Sequence, residues 1–267
     1  MIPNLSYFKT RIGDYPQAET LSAFWLTDAS AVAEMLPKPL EPFSMPLVMA
    51  FVARFPEVSF GTPYLMGGLF LFCVYRGEVG TYVPNIVESD DFPVFMGREV
   101  LGYPKKMGVL GLDVSDSRAS GFIERRGVRL LDLNVEFGTL PTNEKTQALL
   151  SAFGFSGERP PGEVPVTEGI NFLFKFSHSA EVGRMFEHPP RIVRQPTTMR
   201  TRSLQLGNFD ISLGVSPSDS PWSRFPVREK LFAQRTLSHN TMNPPTVLAD
   251  IEDEAAFLPH SFLKYEA

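Results

Sequence analysis

The sequence is poor in cysteine, in long apolar runs and in the short motifs of common cofactor chemistries. One Cys in 267 residues excludes an internal disulfide and any thiolate metal cluster. Cys73 lies in the apolar run Leu69-Phe70-Leu71-Phe72-Cys73-Val74-Tyr75. There it reads as a small core residue, because apolar surroundings raise a thiol pKa. No apolar run approaches the roughly 20 residues of a membrane-spanning helix, and the first residues lack the basic start and apolar core of a secretory signal. A soluble, cytoplasmic protein with no membrane partner is expected. Positive charge is not in excess either: 25 Lys+Arg against 30 Asp+Glu leave a net charge of −5, which argues against a nucleic-acid partner. A glycine-rich dinucleotide fingerprint and a P-loop are missing, and Gly154-Phe155-Ser156-Gly157 has the wrong spacing for a GxSxG elbow. His178, His188, His239 and His260 do not pair at a metal-ligand spacing, so no metal site is expected. The Asn4-Leu5-Ser6 sequon means little without a secretory signal.

What the chain does have is proline, phenylalanine and strand-forming sequence. Hydrophobic residues make up 43% and charged residues 21%, ordinary globular usage that argues against extensive disorder. The 24 Pro disfavour long helices. Segments rich in β-branched and aromatic residues read as strands: Leu47–Phe55, Gly68–Tyr75, Thr81–Val87, Val109–Val114, Gly121–Arg125, Leu130–Phe137, Asn171–Phe176, Arg191–Gln195 and Leu204–Leu213. Arg126-Gly127 reads as a hairpin turn. Asp28–Leu36 reads as a helix capped by Asp28 and stopped by Pro37, and Asn143–Phe153 as a helix capped by Asn143. Phe92–Leu101 and Val227–Arg235 are weaker helical candidates. Gly157–Gly169 reads as a surface loop. With no repeat and no long linker, residues 1–267 are expected to form one domain. The fold class is mainly β (β-rich α+β), a barrel or sandwich with a few peripheral helices.

One stretch carries chemistry. Val94-Phe95-Met96-Gly97-Arg98-Glu99-Val100-Leu101-Gly102-Tyr103-Pro104-Lys105-Lys106-Met107-Gly108 places two adjacent lysines after a proline among apolar side chains. Such a pair can be a solvated turn. It can also be a reactive site, because apolar surroundings and a second cation both disfavour an ammonium. At the reference pKa of about 10.4, roughly one lysine in 2,500 is a free amine at pH 7. Lowering that pKa by several units makes the amine a competent Schiff-base nucleophile.

The run GREVLGYPKKMG at 97–108 closely resembles the active-site motif of the acetoacetate decarboxylase family. Leu26-Thr27-Asp28 with Leu36-Pro37-Lys38-Pro39-Leu40, and Gly77-Glu78-Val79-Gly80-Thr81-Tyr82, resemble the segments ahead of that motif. Pro189-Pro190-Arg191-Ile192, Ser203–Leu206, Phe225-Pro226-Val227 and Val247-Leu248-Ala249-Asp250-Ile251 fit the later pattern more loosely. The resemblance implies a cone-shaped β-barrel with the lysine in an internal cavity, subunits that form homo-oligomers, and an imine chemistry that needs no cofactor. It makes Lys105 the nucleophile and Lys106 the neighbour associated with its lowered pKa; lysine activation by a neighbouring cation is a known property of acetoacetate decarboxylase itself.

The pattern also breaks. Family decarboxylases use an arginine shortly before the first strand and cavity acids, whereas Ala18 stands at the arginine position, Phe51 near one acid and Met66 at the other. Arg11, Arg54 or Glu57 replace these groups only if the register is off by a few residues. Loss of an acid for Met66 suits a larger, greasier carbonyl compound. Tyr64 and Tyr82 are candidates to hydrogen-bond a substrate carbonyl, and Met66, Arg98 and Glu99 complete the substrate-binding set. Arg98 and Glu99 read more readily as residues that pair with each other or with backbone near the helix and fix the motif in place. Trp222 reads as a packing residue. Three functions remain open: a Schiff-base lyase on an oxo acid or ketone, with decarboxylation of a β-keto acid as the default; an aldolase or dehydratase on a pyruvate-type oxo acid; and a non-catalytic small-molecule binder.

Overall fold

Strand sequence dominates the computed structural model, which describes residues 12–138, 144–153, 166–216 and 221–265. In chain order the elements are β1 (Gly13–Leu26), α1 (Ala29–Met35), β2 (Glu41–Pro42), β3 (Leu47–Phe55), β4 (Tyr64–Tyr75) and β5 (Glu78–Glu88). Next come α2 (Asp91–Met96), which runs on into a π-helical turn at Gly97–Leu101, then β6 (Lys105–Met107), β7 (Val109–Val114), β8 (Arg118–Arg125) and β9 (Val128–Phe137). The last are α3 (Glu144–Ala152), β10 (Val166–Lys175), β11 (Arg191–Leu213), β12 (Glu229–Met242), β13 (Thr246–Asp250) and α4 (Glu254–Ser261). Among the described residues no helix is long and apolar enough to cross a membrane.

Pairing closes the chain into a mainly β barrel. The strand order is β10-β5-β4-β3-β1-β12-β11, and β10 also pairs with β11, so seven strands form a ring. The sheet continues from β11 into β9, β8 and β7. That extension folds over the outside of β3 and β4: a Cβ on Gly67 would lie 2.4 Å from Ile123 of β8, and one on Gly121 only 3.1 Å from Val52. The side chains of Ala23, Val48, Val52, Leu69 and Leu71 belong to this outer core.

The opposite face of the seven strands points inward. Met242 of β12 and Val193 of β11 share a cluster with Met66 and Phe70 of β4 and Ile86 of β5; neither β11 nor β12 neighbours β4 or β5 in the ring, so the two pairs meet across its interior. At one end, Leu149 and Leu150 of α3 pack with Phe24 and Phe232 and close the barrel. Phe24 and Phe232 stack with centroids 4.5 Å apart, a favourable aromatic geometry.

Most sequence expectations for elements hold, with longer strands than the local composition suggests. Arg191–Gln195 and Leu204–Leu213 are the two ends of one strand, joined through a register irregularity between Thr201 and Ser203. The helix expected over Val227–Arg235 is instead the start of β12. Pairing with β1 on one side and β11 on the other overrides a weak local propensity. The loop expected over Gly157–Gly169 ends sooner, because β10 begins at Val166; its earlier part and Asn143 lie outside the described residues. Arg126 and Gly127 form the hairpin turn with φ of 51° and 75°, the double positive φ of a two-residue type I′ connection. Trp222 is fully buried, its Nε1 donating to Asn85 Oδ1 at 3.1 Å.

Candidate active site

Lys105 is aimed into the barrel by the turn that precedes it. Gly102 ends the π-helical turn with φ 91° and its N–H donates to the carbonyls of Gly97 (3.0 Å) and Arg98 (3.2 Å). A side chain at 102 would be strained at that φ and would meet Phe174 O at 2.7 Å, so glycine is required there. The chain then pairs in parallel with β5, Lys105 in register with the inward Ile86. The lysine is 5% exposed. Its Nζ lies 2.7 Å from Oε1 of Glu88, itself fully buried, and 3.4 Å from the Pro93 carbonyl. The Tyr103 ring centroid is 5.4 Å away. Gly97 makes room for the lysine: a Cβ there would fall 2.4 to 2.8 Å from Lys105 Cδ, Cε and Nζ.

Around this pair the polar groups are few and buried. Burial holds the Glu88 carboxyl above its ordinary range; the Lys105 ammonium pulls it back down, and the Asp90 carboxylate adds to the rise. Oε2 of Glu88 has no hydrogen-bond partner among the described residues. Asn171 Nδ2 donates to Tyr103 Oη at 2.7 Å, and Thr81 Oγ1 donates to Asn171 Oδ1 at 2.6 Å. Burial first, and Glu88 after it, keep Tyr103 protonated, although the Asn171 hydrogen bond works the other way. Tyr64 is likewise pushed well up by burial, with Tyr15 and Glu88 adding to it. Both phenols are therefore hydrogen-bond donors rather than phenolates at neutral pH.

The wall beside the pair is apolar. Met66 lies directly across from Glu88 in the β4–β5 ladder. Ala18, Phe51 and Met66, the three positions where the resemblance leads one to expect an arginine and two acids, come together in a cluster with Tyr15, Phe55 and Tyr64. Arg54 lies in register with Glu19 and faces outward, its Nη1 3.2 Å from Glu19 Oε2. Glu57 is exposed and accepts from Gln17, and Arg11 lies outside the described residues. Among the described residues, no group of three or more His, Cys, Asp or Glu side chains gathers as a metal site.

Residues 3–251 match the protein family described as Acetoacetate decarboxylase (ADC). The chain belongs to that family. It is 24% identical to an acetoacetate decarboxylase of Clostridium botulinum over 237 residues, 87% of each chain. With the Chromobacterium violaceum acetoacetate decarboxylase it shares 32% identity over 104 residues, 39% of this chain and 42% of that one. A solved acetoacetate decarboxylase superposes with a TM-score of 0.74 at 17% identity, covering 90% of each chain. The enduracididine biosynthesis enzyme MppR, complexed with the condensation product of pyruvate and imidazole 4-carboxaldehyde, superposes with a TM-score of 0.69 at 16% identity and 92% coverage of each. At these identities the two structures establish a shared fold.

Within this acetoacetate decarboxylase-family barrel, the candidate residues divide. Lys105, Tyr64 and Met66 share the inward side with Glu88. Lys106 is also buried, but it is in register with Val87 of the outer core, and alternation along a strand directs it away from Lys105. Tyr82 also faces the outer core, its ring 6.0 Å from that of Phe174. Beside it burial pushes the Cys73 thiol up to about 12. Arg98 holds the site from behind: Nη1 donates to the Lys105 carbonyl at 3.3 Å, and its Cζ stands 5.3 Å from the Tyr265 ring centroid. Glu99 is exposed. Sequence reasoning missed Glu88. Its signal was an acid two positions from Ile86 on the same strand face, one residue past the run Thr81–Val87 read as a strand.

Proposed function

We propose that this protein is a Schiff-base lyase acting on an oxo acid or ketone, with decarboxylation of a β-keto acid as its default reaction. The observation that carries the reading is the buried Lys105 amine 2.7 Å from the buried Glu88 carboxylate. A carboxylate at that distance can take the ammonium proton and leave a free amine. The amine attacks the substrate carbonyl carbon, the carbinolamine oxygen leaves as water with the proton returned by Glu88, and an iminium remains. In a β-keto acid the C–C bond to the carboxylate breaks, its electron pair flows to the iminium nitrogen, and carbon dioxide departs. The resulting enamine is protonated at carbon and hydrolysed, which frees Lys105. Tyr64 and Tyr103, both held protonated, would donate to the substrate oxygen. Any effect of Lys106 is indirect, and Arg98 acts on the backbone of the motif.

A second reading, condensation or dehydration on a pyruvate-type oxo acid, is favoured by the apolar triad Ala18, Phe51 and Met66. The first decarboxylation step calls for a group that holds or repels the departing carboxylate, and this wall offers none. Incubation with candidate oxo acids and borohydride, followed by peptide mass analysis, tests both readings. The expected result is a reduced adduct on Lys105 that disappears in Lys105→Ala. Carbon dioxide release supports the first reading, and incorporation of an added aldehyde the second. A folded protein with no Lys105 adduct from any carbonyl compound, yet saturable binding, would leave only a non-catalytic binder.

A further inference from the structure

The ladder around the barrel says what the rest of the substrate is like. Lys105 is in register with Ile86, Ile86 with Gly68, Gly68 with Phe51, Phe51 with Ser22, and Ser22 with Gln234. This path crosses five strands after β6 and meets no charged residue beyond Lys105. One step along β4 lies Met66, and one step further along β1 than Thr20 lies Ala18, both in the apolar cluster with Phe51. Gly68 leaves no extra space, since a Cβ there would stand 2.9 Å from the Phe51 ring. Among the described residues on this path and one step from it, the inward charges are Lys105 and Glu88, paired with each other at 2.7 Å.

The wall is not wholly greasy. Gln234 Oε1 and Asn240 Oδ1 are buried with no hydrogen-bond partner among the described residues. Both sit on β12, where register with Ser22 and Tyr15 puts them on the inward face. A buried amide without a partner is costly, and a bound molecule with a complementary group relieves it. Among the described residues no cation is there to meet an anionic group, which would be desolvated without a partner.

We infer that the carbonyl compound taken by Lys105 has an uncharged remainder, an alkyl or aryl group that carries a hydroxyl or amide, and that the site rejects a second carboxylate. The inference rests on the Schiff-base reading of Lys105 and deepens it. The apolar part packs on Ala18, Phe51 and Met66, and the neutral polar group reaches the Gln234 amide. Discrimination follows from desolvation: a wall whose described residues hold no cation penalises an anionic tail far more than it penalises an extra methylene.

Two β-keto acids of similar length separate the cases, 3-oxohexanoate with a neutral tail and 3-oxoglutarate with an anionic one. The rate of borohydride-trapped adduct on Lys105 is expected to be about tenfold or more higher for 3-oxohexanoate. A 3-oxohexanoate bearing a terminal hydroxyl is expected to lose its advantage over the plain compound in Gln234→Leu, while the plain compound is trapped as before. Met66→Arg is expected to shift the preference toward 3-oxoglutarate. Equal or faster trapping of 3-oxoglutarate by the unmodified protein overturns the inference and leaves the Schiff base standing. Trapping of neither compound, nor of acetoacetate or pyruvate, on a folded protein overturns the Schiff-base reading itself.

Discussion

Lys105 on β6 and Glu88 on β5 form an ion pair of 2.7 Å inside the barrel, with the glutamate fully buried and the lysine nearly so. The two strands run parallel, and Glu88 stands two residues beyond the register partner of Lys105, so alternation puts both side chains on one face. The acid comes from a strand that precedes the lysine motif in sequence by a helix and a turn.

Lys105→Met is expected to abolish adduct formation and also to destabilise the fold. It leaves a buried carboxylate without its cation, a change that costs about 3–5 kcal/mol. The double substitution Lys105→Met with Glu88→Leu removes both charges and is expected to recover much of that loss. Denaturant unfolding of the two variants and the parent checks this. A double variant no more stable than Lys105→Met would show that the pair is not energetically coupled.

Glu88→Gln isolates the titration of the acid. Burial raises the folded-state pKa of Glu88. A raised carboxyl contributes stability that is fully present below its unfolded value, about 4.3, and lost as pH rises through the folded value. Glutamine has no such dependence. The stability of the parent minus that of Glu88→Gln is therefore expected to fall as pH is raised from 4 to about 8. Unfolding curves at a series of pH values measure the difference. Parallel curves, or a gap that widens with pH, would contradict the raised carboxyl.

The lysine was legible in the sequence and its partner was not, for a physical reason. Lys105 sits in a local motif, readable without knowing any long-range pairing. Glu88 is followed by Ser89-Asp90-Asp91, which looks like an acidic turn in water; only the β5–β6 pairing shows that it closes over the lysine. Tyr82 fails for a similar cause. The register slips between Leu69 and Leu71 against Asn85 and Tyr82, and such a bulge changes which face a residue meets. Val227–Arg235 contains Arg, Glu, Lys, Leu, Ala and Gln, good helix formers, and becomes a strand because it has a neighbour on both edges. By contrast Ala18, Phe51 and Met66, placed from resemblance alone, fall in one cluster.

Gly97→Ala tests how closely the lysine is packed. The added methyl would lie 2.4 Å from Lys105 Cδ and 2.5 Å from Cε, inside any tolerable contact, while the helical backbone at 97 (φ −66°) accepts alanine. Overpacking of this kind costs about 1–3 kcal/mol, and here the flexible side chain that must yield is the proposed nucleophile. The expected outcome is a folded protein with an unchanged far-ultraviolet circular dichroism spectrum and adduct formation slowed by about tenfold or more. Trapping at the parental rate would mean that Lys105 reaches substrate in another rotamer.

Arg98 tests whether the motif backbone needs support from the end of the chain. Its Nη1 donates to the Lys105 carbonyl at 3.3 Å while its guanidinium lies 5.3 Å from the Tyr265 ring, so one side chain ties β6 to the segment after α4. Arg98→Ala is expected to lose about 1 kcal/mol from the hydrogen bond and a further ~0.5–1 kcal/mol from the ring contact. Arg98→Lys keeps the charge but not the planar fork and is expected to fall between the two. Because Arg98 holds backbone rather than substrate, the adduct rate should drop at saturating substrate while the half-saturating concentration stays near the parental value. Tyr265→Phe, which keeps the ring but loses the hydroxyl that Arg98 hydrogen-bonds, should show a smaller part of the Arg98→Ala defect than Tyr265→Ala. If Arg98→Ala instead raises the half-saturating concentration and leaves the maximal rate intact, the arginine touches substrate, and its role as a backbone tie is wrong.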